Sequence, residues 1–344
     1  MKSVTETIEA LNAACLGHYL FNEFIDNTRC ALNAANGSEV VWLTGPSRVG
    51  KTKGTEEVRL ELEKRNPLVG TRVTMRIAAR NASTSGGFST KSFTQQMLAA
   101  IDHPFYGKPT QDDPSGIKLA NRIHRASEAE LQLALQLALV DLEIKYLFID
   151  EAQHLMHLPG GLGKVSAVLD SLKGLAEEAG ITLLFSGAYP LLPLLSSNPH
   201  LAGRSELVHF PRYQLGRECD LDHFAALVQA VDETIGKKVF IPHLRLVFEE
   251  SLGCAGLLLR LVRTTLARAE RKPSGLVTRE LIQQCSRQQA ERHSILTEIV
   301  EGERLLNHGE LPIPKKTCRQ KGKGEANVKA FQTKTRSHPK QGRV

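Results

Sequence analysis

The sequence predicts an α/β protein with a five-stranded parallel sheet. A phosphate-binding loop follows one of its strands, and a small helical domain follows the sheet. Three observations predict this class. A loop with the spacing G-x-x-x-x-G-K-T follows the apolar run Val40–Leu43. Other apolar runs of strand length alternate with helical stretches, and one of them ends in Asp150 and Glu151. From about residue 217 the strand-like runs stop and only helical patterns follow.

The phosphate-binding loop consists of eight consecutive residues, Gly45, Pro46, Ser47, Arg48, Val49, Gly50, Lys51 and Thr52. Backbone N–H groups of such a loop point at phosphate oxygens, and the N-terminus of the next helix adds a favourable dipole. We expect Lys51 to reach the β- and γ-phosphates of ATP and the Thr52 hydroxyl to bind Mg²⁺. A chance match in a glycine-containing turn is the alternative, but the strand before and the helical stretch after the loop favour the motif.

The second motif is an apolar strand, residues 146–149, that ends in two carboxylates. Ligands of parallel sheets bind at the carboxyl ends of the strands. We therefore expect Asp150 to hold Mg²⁺ through water and Glu151 to polarise the attacking water. The alternative is a solvated acidic pair at a helix start, where carboxylates suit the dipole. The loop about a hundred residues upstream favours the nucleotide-site interpretation.

The remaining elements are predicted from local signals. Residues 1–39 have helical patterns, and further strands are predicted over 71–78, 181–187 and 206–210. A helix begins after Ser89 or Thr90, and another begins at Ser127 with Glu130 completing a capping box. A helix over 164–179 ends at the C′ glycine Gly180. Four helices follow, over 220–235, 242–252, 255–271 and 278–293.

We predict four parts: a helical segment 1–39, a nucleotide-binding domain 40–216, a helical lid 217–295 and an extension 296–344 with a basic tail. The tail from residue 315 onward carries seven Lys and three Arg against one Glu, so its net charge is 10 − 1 = +9. The whole chain has a net charge of +7, which leaves −2 on residues 1–314. The tail is predicted to be disordered alone and to bind DNA or a partner, with an inert solubilising role as the alternative.

Composition excludes several classes of protein. The first ten residues include Glu6 and Glu9 and have no apolar signal-peptide region, and no apolar run approaches a membrane span. The six Cys are scattered without a C-x-x-C pair, as is typical of reduced cytoplasmic thiols. Glu151 and His154 have the spacing of a carboxylate–histidine metal motif, but no second copy occurs, so a polar helix surface is the favoured interpretation.

The motifs resemble those of AAA+ ATPases, and more closely the TniB/TnsC transposition ATPases related to MuB. Four stretches within residues 15–290 carry the resemblance, namely WLTGPSRVGKT, YLFIDEAQHL, TLLFSGA and LAGRSELVHFPRY. The resemblance implies a magnesium-dependent ATPase with a helical lid. It also implies a homo-oligomer, either a ring or a helical filament, that assembles with ATP on duplex DNA of any sequence and links a target selector to a transposase.

The resemblance also assigns residues. Ser186 ends the fourth core strand, where AAA+ proteins place a polar residue that orients water and the γ-phosphate. Arg204 stands where the family places an arginine finger that acts on the neighbouring subunit, with Arg212 and Arg217 as competitors. In the lid the expected sensor arginine is replaced by the run beginning at Gly256.

The resemblance implies that DNA contacts lie near the second strand and the helix after it. Arg76, Arg80 and Lys91 are the basic side chains there, and such groups bind phosphates without reading sequence; a solvated charged face is the alternative. Two other functions stay open: a helicase loader or replication initiator, and a signalling or defence scaffold that uses nucleotide as a switch.

Overall fold

The computed structural model describes residues 4–13, 16–35, 39–66, 72–80, 87–107, 125–197, 205–217, 219–272 and 275–308. The strands are β1 Val40–Thr44, β2 Thr74–Ala78, β3 Tyr146–Asp150, β4 Thr182–Gly187 and β5 Ser205–His209. The helices up to β5 are α1 Val4–Ala13, α2 Tyr19–Ala34, α3 Lys51–Arg65, α4 Thr90–Ala100, α5 Glu128–Asp141, α6 Leu162–Ala179 and α7 Leu192–Ser197. The helices after β5 are α8 Asp220–Ile235, α9 Leu244–Ser251, α10 Ala255–Glu270, α11 Arg279–Cys285 and α12 Gln289–His308. Short 3-10 helices occupy Ala152–His157, Tyr189–Leu191 and Ile241–His243.

The five strands form one all-parallel sheet in the order β2-β3-β4-β1-β5. The predicted α/β class with a five-stranded parallel sheet and helices after it is confirmed. The strand order places β1 between β4 and β5, and Leu43 of β1 pairs with Ser186 of β4. Because all the strands run in the same direction, the ends of β1, β3 and β4 lie side by side at one edge of the sheet.

Both faces of the sheet are buried, as expected for a parallel sheet covered by helices. Along β1, Val41 and Leu43 pack into one apolar cluster, whereas Val40 and Trp42 pack into the other. This alternation is the two-residue period of a strand. The indole ring of Trp42 stacks on Phe185 of β4, with ring centroids 4.6 Å apart.

The helices after β5 share a core with one face of the sheet. Phe224 of α8 and Leu258 of α10 belong to the same cluster as Val41 of β1 and Phe24 of α2. The rings of Phe24 and Phe210 stack with centroids 4.6 Å apart, which closes the gap between α2 and the end of β5. The predicted lid is therefore packed against the nucleotide-binding domain through buried apolar surface.

Local signals place the helix ends close to their predicted positions. The Ser89 hydroxyl oxygen accepts a hydrogen bond from the Ser92 N–H, so Ser89 caps α4. Ser127 and Glu130 form the predicted capping box at the start of α5. Gly180 adopts φ 66°, a left-handed conformation that glycine reaches without steric cost, and it ends α6.

The prediction of one continuous helix over 278–293 is wrong, because the structure has two helices there, α11 and α12. Ser286 adopts an extended conformation with ψ 157°, and its hydroxyl donates to the Ile282 carbonyl. A Ser side chain that bonds the preceding turn competes with continuation of the helix. The next helix, α12, then runs through the boundary predicted between residues 295 and 296; the four-part division itself stays a prediction. Arg204 and the tail from residue 315 lie outside the described residues.

Candidate nucleotide-binding site

The predicted phosphate-binding loop connects the end of β1 to the start of α3. A Cβ on Gly45 would lie 2.3 Å from the Phe210 carbonyl oxygen, so only glycine fits there. Gly50 has φ 124°, which an L side chain rarely adopts, and it directly precedes the first turn of α3. The sequence thus folds into a strand, a tight loop and a helix N-terminus, which together can hold an anion.

The Lys51 ammonium lies inside this loop. Its Nζ donates hydrogen bonds to the carbonyl oxygens of Gly45 at 2.9 Å and Pro46 at 2.7 Å. Burial lowers the pKa of Lys51 to about 8, and the negative charges of Glu151 and Asp150 oppose that shift. The ammonium is therefore held inside the loop by two backbone carbonyl oxygens.

The structure brings Thr52 and Asp150 together from positions 98 residues apart. The Thr52 hydroxyl donates to Asp150 Oδ2 at 3.2 Å, and Asp150 is buried, with 8% of its surface exposed. One hydroxyl and one carboxylate are oxygen ligands of the kind that Mg²⁺ prefers, and Mg²⁺ usually completes its shell with water and nucleotide phosphates. Among the described residues, no group of three or more His, Cys, Asp or Glu is arranged to hold a metal ion.

Arg76 of β2 also contacts Asp150. Its Nη2 lies 2.8 Å from Asp150 Oδ2, and its Nη1 lies 3.4 Å from Glu56 of α3. The guanidinium thus provides positive charge beside the predicted magnesium ligand. Arg80 is exposed just after β2 and Lys91 is half-buried in α4. The DNA contacts of all three residues stay predictions.

Glu151 begins the 3-10 helix that follows β3. Its backbone has φ 54°, and its N–H donates to Asp150 Oδ1 at 3.0 Å. Its carboxylate accepts a hydrogen bond from the side-chain amide of Gln153. Ser186 is the next-to-last residue of β4, and its buried hydroxyl has no hydrogen-bond partner among the described residues. A buried hydroxyl without a partner is costly, so this group suits a ligand oxygen or a water.

The lid contacts the loop through backbone atoms. The Gly256 N–H, in the first turn of α10, donates to the Arg48 carbonyl at 2.8 Å. A Cβ at Gly256 would lie 2.3 Å from that oxygen, so any side chain would push the lid away. The position where the resemblance implies a sensor arginine is therefore used for close packing, while Arg260 lies exposed one turn further along α10.

Helix α12 reaches the same region, which sequence reasoning missed. Glu298 Oε1 accepts a hydrogen bond from the Ser47 hydroxyl at 3.2 Å. Glu303 accepts two hydrogen bonds from Arg212, at 2.9 and 3.1 Å, so this competitor for the finger role is held within its own chain. The competitor Arg217 is exposed. No sequence motif marks Glu298, because its partner lies 251 residues away.

The phosphate-binding loop, the carboxylates Asp150 and Glu151, and Gly256 of the lid line one cavity of about 510 Å³. That volume suits a nucleotide, since ligand pockets commonly measure about 300–1,000 Å³. Its lining comprises Ser47, Arg48, Gly50, Lys51, Thr52, Lys53, Asp150, Glu151, Gln153, Gly187, Ala188 and Gly256. Two larger cavities, of about 650 and 730 Å³, lie beside β2 and beside α1 and the lid, and their linings contain none of the predicted catalytic residues.

Comparisons with known proteins agree with this geometry. Residues 35–195 match a family model described as an AAA domain. The fold is similar to the Aeropyrum pernix ORC2 protein, at 15% identity and TM-score 0.54, covering 82% of this chain and 67% of that one. It is also similar to Drosophila ORC bound to DNA, at 16% identity and TM-score 0.51, covering 83% and 65%. No curated protein matches the sequence.

Residues 35–195 therefore match an AAA domain, and the fold is that of AAA-domain P-loop ATPases. At these identities the similarity to ORC proteins concerns the fold alone. None of the helices in the described part of the chain has the length and apolar character needed to cross a bilayer.

Proposed function

We propose that this protein is an ATP-dependent AAA+ regulator of DNA transposition, located in the cytoplasm, that oligomerises on duplex DNA. The observation that supports the ATPase part is the meeting of Lys51, Thr52, Asp150 and Glu151 at one cavity. The transposition part rests on the resemblance of the four sequence stretches to TniB/TnsC proteins.

The side chains have separate tasks in the proposed reaction, the hydrolysis of ATP to ADP and phosphate. Lys51 and the loop N–H groups bind the phosphates, and Thr52 and Asp150 would hold Mg²⁺, which would supply positive charge against the phosphate oxygens. Glu151 polarises the attacking water, and the Ser186 hydroxyl orients this water and the γ-phosphate. The Thr52 and Asp150 oxygens are suitable ligands for Mg²⁺, and the Ser186 hydroxyl, which has no partner among the described residues, could bind a phosphate oxygen or a water.

In the proposed assembly a second copy completes the site. Arg204 of a neighbouring subunit would neutralise the charge that develops on the transferred phosphoryl group. Duplex DNA would be held through its phosphates, with Arg76, Arg80 and Lys91 as the proposed contacts. The assembly, a ring or filament, would recruit the transposase and connect it to a target selector, and hydrolysis would dismantle it.

A helicase loader or replication initiator is the second candidate, and the similarity of the fold to ORC proteins favours it. It shares the ATPase site and differs in the partner, which would be a replisome component instead of a transposase. A nucleotide-switched scaffold is a third possibility, for which Glu151→Gln would leave function unchanged.

The test is a DNA-binding assay combined with electron-microscope imaging of the full chain on random-sequence duplex DNA. DNA binding and assembly are measured in the presence of ATP, in the presence of ADP and without nucleotide. The Lys51→Ala variant serves as the control. We expect rings or filaments on DNA only with ATP, and none with Lys51→Ala. Assembly without DNA, or assembly independent of nucleotide, would contradict the proposal and favour the scaffold.

A further inference from the structure

Gln153 is a cavity residue without a role in the proposed reaction. It lies two residues after Glu151 in the 3-10 helix Ala152–His157. Its amide nitrogen donates to the Glu151 carboxylate, and its amide oxygen accepts from the Ala188 N–H at 3.3 Å. Both ends of the carboxamide are therefore used, and they connect the end of β3 to the end of β4.

The contact with β4 is close because residue 187 is glycine. A Cβ on Gly187 would lie only 2.5 Å from the Gln153 amide oxygen and 3.4 Å from the Gln153 backbone nitrogen. Gly187 has no positive φ. A side chain at position 187 would therefore displace the Gln153 amide from its present position.

Among the described residues, the Gln153 side chain donates a hydrogen bond to the Glu151 carboxylate. Glu151 is exposed, and an exposed Glu without such a donor samples several rotamers. Only some of these rotamers direct the carboxylate at a bound water. A general base acts only within hydrogen-bond reach of the proton that it takes. Holding the carboxylate in one orientation therefore raises the fraction of productive encounters.

We propose that Gln153 is a positioning residue that fixes the Glu151 carboxylate relative to the end of β4. Ser186, Gly187 and Ala188 follow one another there, so the strand that carries the partnerless Ser186 hydroxyl also holds Gln153. The inference rests on the proposed ATPase function and specifies how its water-polarising residue is oriented.

The test uses two substitutions of similar size in the full-length protein. Gln153→Met removes both hydrogen bonds, and Gln153→Glu keeps an acceptor for Ala188 but places a second carboxylate against Glu151. We expect kcat for ATP hydrolysis to fall about 10-fold in Gln153→Met and further in Gln153→Glu. KM and the Kd of a non-hydrolysable ATP analogue should stay within about 2-fold, because Gln153 acts on the water-polarising group and not on the phosphates.

A matched control is Gln132→Glu, since Gln132 is an exposed glutamine on α5 that contacts the Ser171 hydroxyl, outside the cavity lining. Its kcat should equal that of the wild type. A second arm uses Gly187→Ala, whose methyl group would displace the Gln153 amide and lower kcat in the same way. In the double variant Gly187→Ala with Gln153→Ala the clash is absent, so its kcat should equal that of Gln153→Ala alone.

The outcomes separate this role from the proposed function. If the wild type shows no Lys51-dependent ATP hydrolysis, the proposed function fails and this role fails with it. If the wild type hydrolyses ATP and the Gln153 variants keep its kcat, the positioning role alone is overturned. A change confined to KM, or additive losses in the double variant, would also overturn it.

Discussion

At the scale of single residues, the protein environment of Lys51 moves its pKa away from that of an ordinary lysine. Two loop carbonyls solvate the ammonium, yet burial still lowers its pKa to about 8. The neighbouring charges of Glu151, Asp150 and Glu298 raise the pKa and compensate only in part. Phosphate binding requires the charged form, so the affinity for nucleotide should depend on pH in an accessible range.

We predict that ATP affinity falls by about 10-fold between pH 7 and pH 9. The pKa is lowered, so Lys51 loses its proton as the pH rises through about 8, whereas a bound triphosphate favours the protonated form. Fluorescence titration with a non-hydrolysable analogue measures the effect. Lys51→Arg is the control, because a guanidinium stays charged and should give a nearly flat profile over the same range. A wild-type profile as flat as that of Lys51→Arg would contradict the assignment.

At the scale of elements, helix α12 contacts the nucleotide site although it follows the lid in the sequence. Glu298 is bonded to Ser47 of the loop, and Gly302 packs so closely on Tyr189 that a Cβ would lie 2.1 Å from the ring. Ile299, between them, is fully buried. One face of α12 therefore brings a carboxylate to the predicted phosphate-binding loop.

We predict that Glu298→Gln increases ATP affinity by about 3- to 10-fold, because removal of one negative charge near the phosphates weakens electrostatic repulsion. The amide oxygen still accepts from Ser47, so the helix should stay in place. The analogue titration at low and high salt measures the change, and the gain should shrink as salt increases. Glu301→Gln is the matched control, since Glu301 is exposed on the same helix and pairs with Arg304. Equal affinities for the two variants would refute the prediction.

At the scale of the whole molecule, the N-terminal helices, the end of the sheet and the lid meet at Tyr213. The Tyr213 hydroxyl bonds to His18 Nδ1 at 2.8 Å, and the Tyr213 N–H donates to the Gly253 carbonyl in the lid at 3.1 Å. His18 Nδ1 also accepts from the Phe21 N–H. Burial lowers the pKa of His18 to about 4, so the folded protein keeps this ring neutral.

We predict that His18 makes the free energy of unfolding decrease as the pH falls below about 6.5. The folded pKa is near 4 and the unfolded pKa is about 6.5, so the unfolded chain binds the extra proton between these values. At pH 5.5 the loss due to His18 is about 1 kcal/mol, and no further loss occurs below pH 4. Urea unfolding of the wild type and His18→Gln between pH 7.5 and 5.5 measures it. Equal pH slopes for the two proteins would contradict the prediction.

Much of the fold could be predicted because its signals are local. The loop spacing, the apolar strands and the capping residues Ser127 and Gly180 each act within a few residues, so the five strands and most helix ends follow from them. The break at Ser286 was missed because an extended Ser inside an amphipathic pattern has no strong sequence signal. Its hydroxyl contact with Ile282 decides the local conformation.

The sequence by itself determined the chemistry of the site: a lysine and a threonine after a glycine loop, and two carboxylates after a buried strand. Each of these residues directly follows a strand or a loop that the local sequence pattern predicts. Their residue types therefore indicate phosphate and magnesium binding. Only the tertiary structure decided what lies beside them, namely Arg76 at Asp150, Gln153 between Glu151 and Ala188, and Glu298 at Ser47. Such contacts depend on strand order and helix packing, which bring together residues far apart in the chain, and no local pattern encodes them.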